Sequence, residues 1–90
     1  MKVRVRAFGD LKKSLGNESI IDLKSGARIS DLLSRLSVIT RTFRKGHIGA
    51  HKVGSDLLIT VNGKNMHVLG ESTSLKDGDV IDLVPLVWGG

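Results

Sequence analysis

Apolar residues in this chain recur at every second position in several short stretches, and at helical spacing in only one. Val3, Val5 and Ala7 alternate with Arg4, Arg6 and Phe8, the pattern of a half-buried strand. Ser19 to Leu23 repeats it, with Ile21 and Leu23 on one side and Asp22 on the other. Leu57, Ile59 and Val61 alternate with Leu58 and Thr60, and Val80 to Val84 forms a final strand. Between them, Ile29, Leu32, Leu33 and Leu36 fall at i, i+3, i+4 and i+7, one face of a single helix. A lone apolar helical stripe must cover one face of the sheet, so the pattern predicts an α+β fold with one main helix.

Turn chemistry fixes the order of these elements. Gly9-Asp10 and Gly16-Asn17 bracket a loop, and the short separation predicts an antiparallel hairpin of the first two strands. Ser30 and Asp31 lie where they cap the helix or favour its dipole. Asn62-Gly63 signals a hairpin turn, with Met66 to Leu69 as the expected return strand. Asp77-Gly78-Asp79 is a further turn, and Pro85, lacking an amide donor, ends the last strand or sits at an unpaired position. Residues 37–56 carry Arg41, Arg44, Lys45, His47, His51 and Lys52, interrupted by three glycines, and read as an irregular basic surface loop with a short helical extension near Val38 to Phe43.

At 90 residues the chain has room for one domain, spanning 1–90. Aromatics are 3%, so the core is built from Leu, Ile and Val. Cysteine is absent, which excludes disulfides, thiolate metal sites and cysteine nucleophiles. The formal charge of +5 divides unevenly: residues 1–55 hold 12 Lys and Arg against 4 Asp and Glu, residues 56–90 hold 2 against 5. Such polarity steers a protein partner as readily as it attracts nucleic acid. No signal-peptide stretch or membrane-length apolar window is visible, so a cytoplasmic protein is expected.

The search for catalytic chemistry fails throughout. There is no Gly-x-Ser-x-Gly elbow, no phosphate-binding glycine loop and no pattern joining a histidine to a serine and a carboxylate. His47 and His51 are four apart but lack a third ligand nearby, so no metal is expected. The basic loop holds one aromatic, Phe43, which makes a poor stacking platform, and nucleic acid is not the expected partner. What remains is the end of the chain. Gly89 and Gly90 follow a strand, a proline and a short apolar run, with a carboxylate expected on Gly90. Two residues without Cβ atoms enter a narrow channel and take backbone angles closed to others. Three extended residues span only about 10 Å, so the body must dock close to a partner's active site.

Together, Leu75-Lys76-Asp77-Gly78-Asp79-Val80 and Val84-Pro85-Leu86-Val87-Trp88-Gly89-Gly90 resemble the ubiquitin-like β-grasp sulfur carriers. The branch most similar is the small subunit of molybdopterin synthase, and the thiamine-pathway carrier and archaeal ubiquitin-like modifiers share much of the pattern. The resemblance implies a β-grasp fold, with a mixed four- to five-stranded sheet packed on one main helix and an extended tail at about 86–90. It implies a carrier without catalytic residues or cofactors of its own. An E1-like adenylating enzyme, using ATP and Mg²⁺, would activate the carboxylate of Gly90, with Gly89 as the slender approach. Sulfur would then replace the adenylate and pass to a molybdopterin synthase large subunit or another acceptor. Conjugation through Gly90 to lysine-bearing proteins is the alternative, and a non-covalent module using Arg41, Arg44, Lys45 and Lys52 is a third reading.

The family docks through an apolar patch on the open sheet face beside the tail. Phe8, Leu58, Val84, Pro85, Leu86 and Trp88 are its candidates here, and ordinary burial accounts for Phe8, Leu58, Val84 and Leu86 equally well. Two positions depart from the family pattern. Trp88 stands where a small residue is usual, and Leu86 where the molybdopterin branch commonly has a second proline.

Overall fold

The computed structural model describes residues 1–86. Trp88, Gly89, Gly90 and the rest of the expected tail beyond Leu86 lie outside the described residues. Strand β1 (Lys2–Ala7) buries Val3, Val5 and Ala7 and exposes the residues between them. It pairs antiparallel with β2 (Glu18–Asp22), with Arg4 opposite Ile20. The connection between them is not the plain loop that its polar residues predict. A 3₁₀ turn over Gly9–Leu11 leads into a short helix, α1 (Lys12–Leu15). Leu11 and Leu15, four apart and therefore one above the other on a helix, are both buried. The Ser19 hydroxyl donates to the Leu15 carbonyl, and Gly16 leaves the helix at a φ of +71°.

The main helix, α2 (Ile29–Ile39), follows the expected stripe. Ile29, Leu32 and Leu36 are fully buried, while Leu33 is half-buried at the side of the stripe. Asp31 closes the N-terminus by accepting from the Arg28 amide at 2.8 Å, which satisfies a donor the helix cannot. The helix stops at Arg41, whose φ of +55° is the left-handed value that usually falls to glycine at this position.

Residues 37–56 are more ordered than their glycines and cations suggest. After the end of α2, two short strands, β3 (His47–Ile48) and β4 (His51–Lys52), form a miniature antiparallel hairpin. Ile48 and His51 are buried. The segment leading into it is tied down by the Thr42 hydroxyl, which accepts from the Gly49 amide at 2.7 Å and pairs with the Thr40 hydroxyl at 2.8 Å. One buried isoleucine among polar residues carries no periodicity, which is why the hairpin is hidden in the sequence.

Strand β5 (Leu57–Val61) turns at Asn62-Gly63 into β6 (Lys64–Asn65). Both turn residues have positive φ, +52° and +84°, as a tight hairpin turn demands. Met66 to Leu69 is not the expected return strand but a single helical turn, α3 (Met66–Leu69), with Asn65 Oδ1 accepting from the His67 amide at 2.8 Å. An asparagine cap at the entry outweighs the strand propensity of so short an apolar run. The chain then reaches β7 (Val80–Pro85) through a turn in which the Lys76 amide donates to Asp79 Oδ2.

The five-stranded sheet has the order β2-β1-β7-β5-β6. β7 runs parallel to β1 and antiparallel to β5, so the sheet is mixed and its last strand is central. The inward residues of β1, β5 and β7 meet Ile29, Leu32 and Leu36 of α2 in one hydrophobic cluster. Among the described residues, no helix covers the other face of the sheet.

Candidate functional site

The open sheet face is divided by the register of its strands. Arg6 sits opposite Asp82 across the parallel β1–β7 pair and opposite Glu18 across β1–β2. Its guanidinium forms a two-pronged pair with Asp82, Nε to Oδ1 at 2.5 Å and Nη2 to Oδ2 at 2.7 Å. The hydrogen bond to Asp82, and then the carboxylate charge, push the Arg6 pKa upward, so the arginine stays charged under all ordinary conditions. Arg4 pairs with Glu18 at 2.5 Å in the same band. The charges here neutralise one another within the sheet.

Toward the C-terminal end of β7 the same face becomes apolar. Leu58 lies directly opposite Val84 across β5–β7, and the Phe8 amide donates to the Leu83 carbonyl, placing Phe8 beside Val84. The Leu86 amide donates to the Asp56 carbonyl at 2.8 Å, so the chain still follows β5 one residue past the strand. Phe8 and Leu86 remain 40% and 39% exposed, whereas Leu58, Val84 and Pro85 are half-buried. Five of the six docking candidates thus gather at one end of the central strand; Trp88 falls outside the described residues.

Pro85 is held from beneath. Gly9 turns with a φ of +63° and comes so close that a Cβ placed on it would stand 3.3 Å from Pro85 Cγ. Beside them is a hollow of about 400 Å³ lined by Phe8, Gly9, Asp10, His51, Val84 and Pro85. His51, buried on β4, meets Asp10 through Nε2 and Oδ1 at 2.7 Å, so the basic hairpin is anchored under the end of β7. Nothing along the chain announces this anchor: Gly9-Asp10 has the composition of an ordinary turn, and the distance of 41 positions to His51 hides the pair.

The remaining chemistry is sparse. Among the described residues, no group of three or more His, Cys, Asp or Glu side chains could hold a metal ion. His47 and His51 occupy a hairpin rather than a helical turn, and His47 Nδ1 meets the Lys45 carbonyl instead of facing His51. Among the described residues, no helix is long and apolar enough to cross a membrane.

A mixed five-stranded sheet wrapped over one helix, with its final strand central, defines an α+β protein of the ubiquitin-like β-grasp fold. The chain belongs to the ThiS family, whose profile matches residues 5–90. It is similar to a protein from Pyrococcus furiosus described as molybdopterin converting factor, subunit 1: 31% identical, covering 97% of this chain and 99% of that one, with a TM-score of 0.76. It is also 31% identical to small archaeal modifier protein 1 from Methanosarcina acetivorans, over 99% of this chain and 96% of that one, with a TM-score of 0.70. A third likeness is to a chain in the complex of subunits 1 and 2 of the Helicobacter pylori molybdopterin-converting factor, 29% identical over the whole of both chains, with a TM-score of 0.63. A search of curated protein sequences found no match.

Proposed function

We propose that this chain is a sulfur carrier that works through the carboxylate of Gly90 in molybdopterin biosynthesis, within the cytoplasm. The observation that carries the reading is the position of β7. It is the central strand, its end is fixed by Gly9 and the β5 pairing, and an exposed apolar row lies beside it, four sequence positions before Gly90. A carboxylate delivered from a rigid strand needs no catalytic group on the same chain.

The chemistry belongs to a partner. A Gly90 carboxylate oxygen attacks the α-phosphorus of ATP in an E1-like enzyme; pyrophosphate leaves and an acyl adenylate forms. Sulfide then attacks the carbonyl carbon, AMP leaves, and a thiocarboxylate remains. ATP and Mg²⁺ are bound by that enzyme, and no cofactor is asked of this chain. Phe8, Leu58, Val84, Pro85, Leu86 and Trp88 form the surface that seats the carrier on the activating enzyme and then on a molybdopterin synthase large subunit. The likeness to a subunit seen in complex with its second subunit supports such a partner.

The test is incubation with the cognate activating enzyme, ATP, Mg²⁺ and sulfide, followed by intact mass. Exchange of one oxygen for sulfur is expected, and its absence counts against the reading. A second reading, conjugation of Gly90 to lysines, is supported by the likeness to a small archaeal modifier protein. It predicts a ladder of conjugates in cells that disappears when Gly89 and Gly90 are deleted. Use of the same thiocarboxylate in thiamine synthesis is separated by which acceptor consumes it.

A further inference from the structure

The positive charge of this protein is concentrated in one segment that the proposed carrier chemistry does not use. Residues 32–55 contain Arg35, Arg41, Arg44, Lys45 and Lys52 and not one Asp or Glu. The rest of the chain holds nine Lys and Arg against nine Asp and Glu, so the whole formal excess of +5 arises here. None of these five cations forms an ion pair with a carboxylate among the described residues, in contrast to Arg4 and Arg6 on the sheet.

The same segment presents apolar side chains to solvent on the helix side of the molecule. Phe43 is 98% exposed and Val38, one turn after Ser34 on α2, is 73% exposed. Phe43 borders a groove of about 640 Å³ between α2 and the β3–β4 hairpin. Its apolar lining comes from Leu33, Ile48 and Val53; Arg44 and Lys45 stand at its rim, and Glu71 is the one carboxylate that lines it. The rim is held in place: the Thr42 amide donates to the Ser37 carbonyl, and the Thr42 hydroxyl accepts from Gly49. Three serines also line it, and two of them, Ser34 and Ser37, have their hydroxyl protons already committed. Ser34 donates to the Ser30 carbonyl and Ser37 to the Leu33 carbonyl, both at 3.1 Å. They therefore turn only acceptor lone pairs to the groove.

We infer that this groove binds an acidic segment of a partner protein, with an apolar side chain seated against Leu33, Phe43 and Ile48 and carboxylates at Arg44 and Lys45. Peptide N–H groups match the serine acceptors, aliphatic side chains match the groove, and carboxylates match Arg44 and Lys45, which outnumber Glu71 and form no ion pair among the described residues. A nucleic-acid strand matches the cations but not the apolar lining, because a single aromatic gives no run of stacked bases. The groove lies on the opposite side of the sheet from the apolar row around Val84, so its occupancy does not depend on thiolation of Gly90.

The test uses the full chain and a fluorescent peptide in which glutamates flank a Val-Ile-Leu run. Amide NMR shifts are expected between residues 33 and 48 and not on the open sheet face. Phe43→Ser, and separately Arg44→Glu with Lys45→Glu, should each weaken binding about tenfold or more. Phe43 is nearly fully exposed, so its variant leaves the core intact, and unchanged shifts elsewhere confirm the fold. Deleting Gly89 and Gly90 should leave peptide affinity unchanged, which separates this site from the carrier reading. The inference is overturned if the peptide does not bind, if a peptide with serines in place of Val-Ile-Leu binds as tightly, or if a single-stranded RNA occupies the segment in preference to the peptide.

Discussion

Gly9 offers the sharpest perturbation of the strand that carries the proposed reacting end. Its φ of +63° is a left-handed value, and alanine there costs about 1–2 kcal/mol in backbone strain alone. The added Cβ also stands 3.3 Å from Pro85 Cγ, inside ordinary van der Waals contact. Pro85 has little room to retreat, because its ring fixes φ and its backbone is registered against Leu57. Overpacking against so constrained a neighbour adds about 1 kcal/mol, for a total of about 2–3 kcal/mol. Replacing Pro85 by alanine removes Cγ and Cδ and leaves Cβ, 3.8 Å away, in ordinary contact. Gly9→Ala measured in that background should therefore cost only the strain, about 1–2 kcal/mol. Urea unfolding of the four proteins in this cycle, followed by far-ultraviolet circular dichroism, gives the coupling directly. A Gly9→Ala cost that is the same with and without the Pro85 ring, within about 0.3 kcal/mol, would refute the claim that Gly9 braces the end of β7.

Other substitutions test the remaining supports. Asp10→Ala leaves the buried His51 ring nitrogen without its partner and should destabilise the protein by about 1–3 kcal/mol in thermal unfolding. Leu36→Ala, at a fully buried position of α2, should cost about 2–5 kcal/mol in urea unfolding; a loss under about 1 kcal/mol would mean that the helix does not seal the core. Asn62→Ala removes both the acceptor for the Val80 amide and the donor to Asp79, as well as a side chain tolerant of positive φ. It should lower stability by about 1–3 kcal/mol, with Asn62→Gly restoring only the backbone part. Phe8→Ser and Leu86→Ser should weaken binding to a cognate synthase large subunit about tenfold or more while leaving the unfolding midpoint nearly unchanged.

The sheet and the main helix were legible because each has a periodic apolar face against one core. Val3, Val5 and Ala7, the β5 alternation and Ile29, Leu32 and Leu36 of the α2 stripe are buried as their spacing predicts, with Leu33 half-buried at its side. The misread elements are those whose structure rests on isolated contacts. α1 is fixed by two leucines four apart, α3 by an asparagine cap, and the β3–β4 hairpin by Ile48, His51 and the hydroxyl of Thr42. No local period announces any of these. The candidate site was half visible. Its apolar members stood near the C-terminal motif or at the end of β1, but their meeting depends on β7 pairing with both β1 and β5. The support beneath Pro85 was invisible, since Gly9 and the Asp10–His51 pair act across the fold rather than along the chain.

The central claim is that Gly90 itself is the reacting residue. Tandem mass spectrometry of the C-terminal peptide, after reaction with the cognate activating enzyme, ATP, Mg²⁺ and sulfide, tests it most directly. The account predicts one sulfur in place of one oxygen, located on Gly90 and lost when Gly90 is deleted. An unmodified Gly90 under conditions where the enzyme consumes ATP, or sulfur found at any other residue, would contradict it.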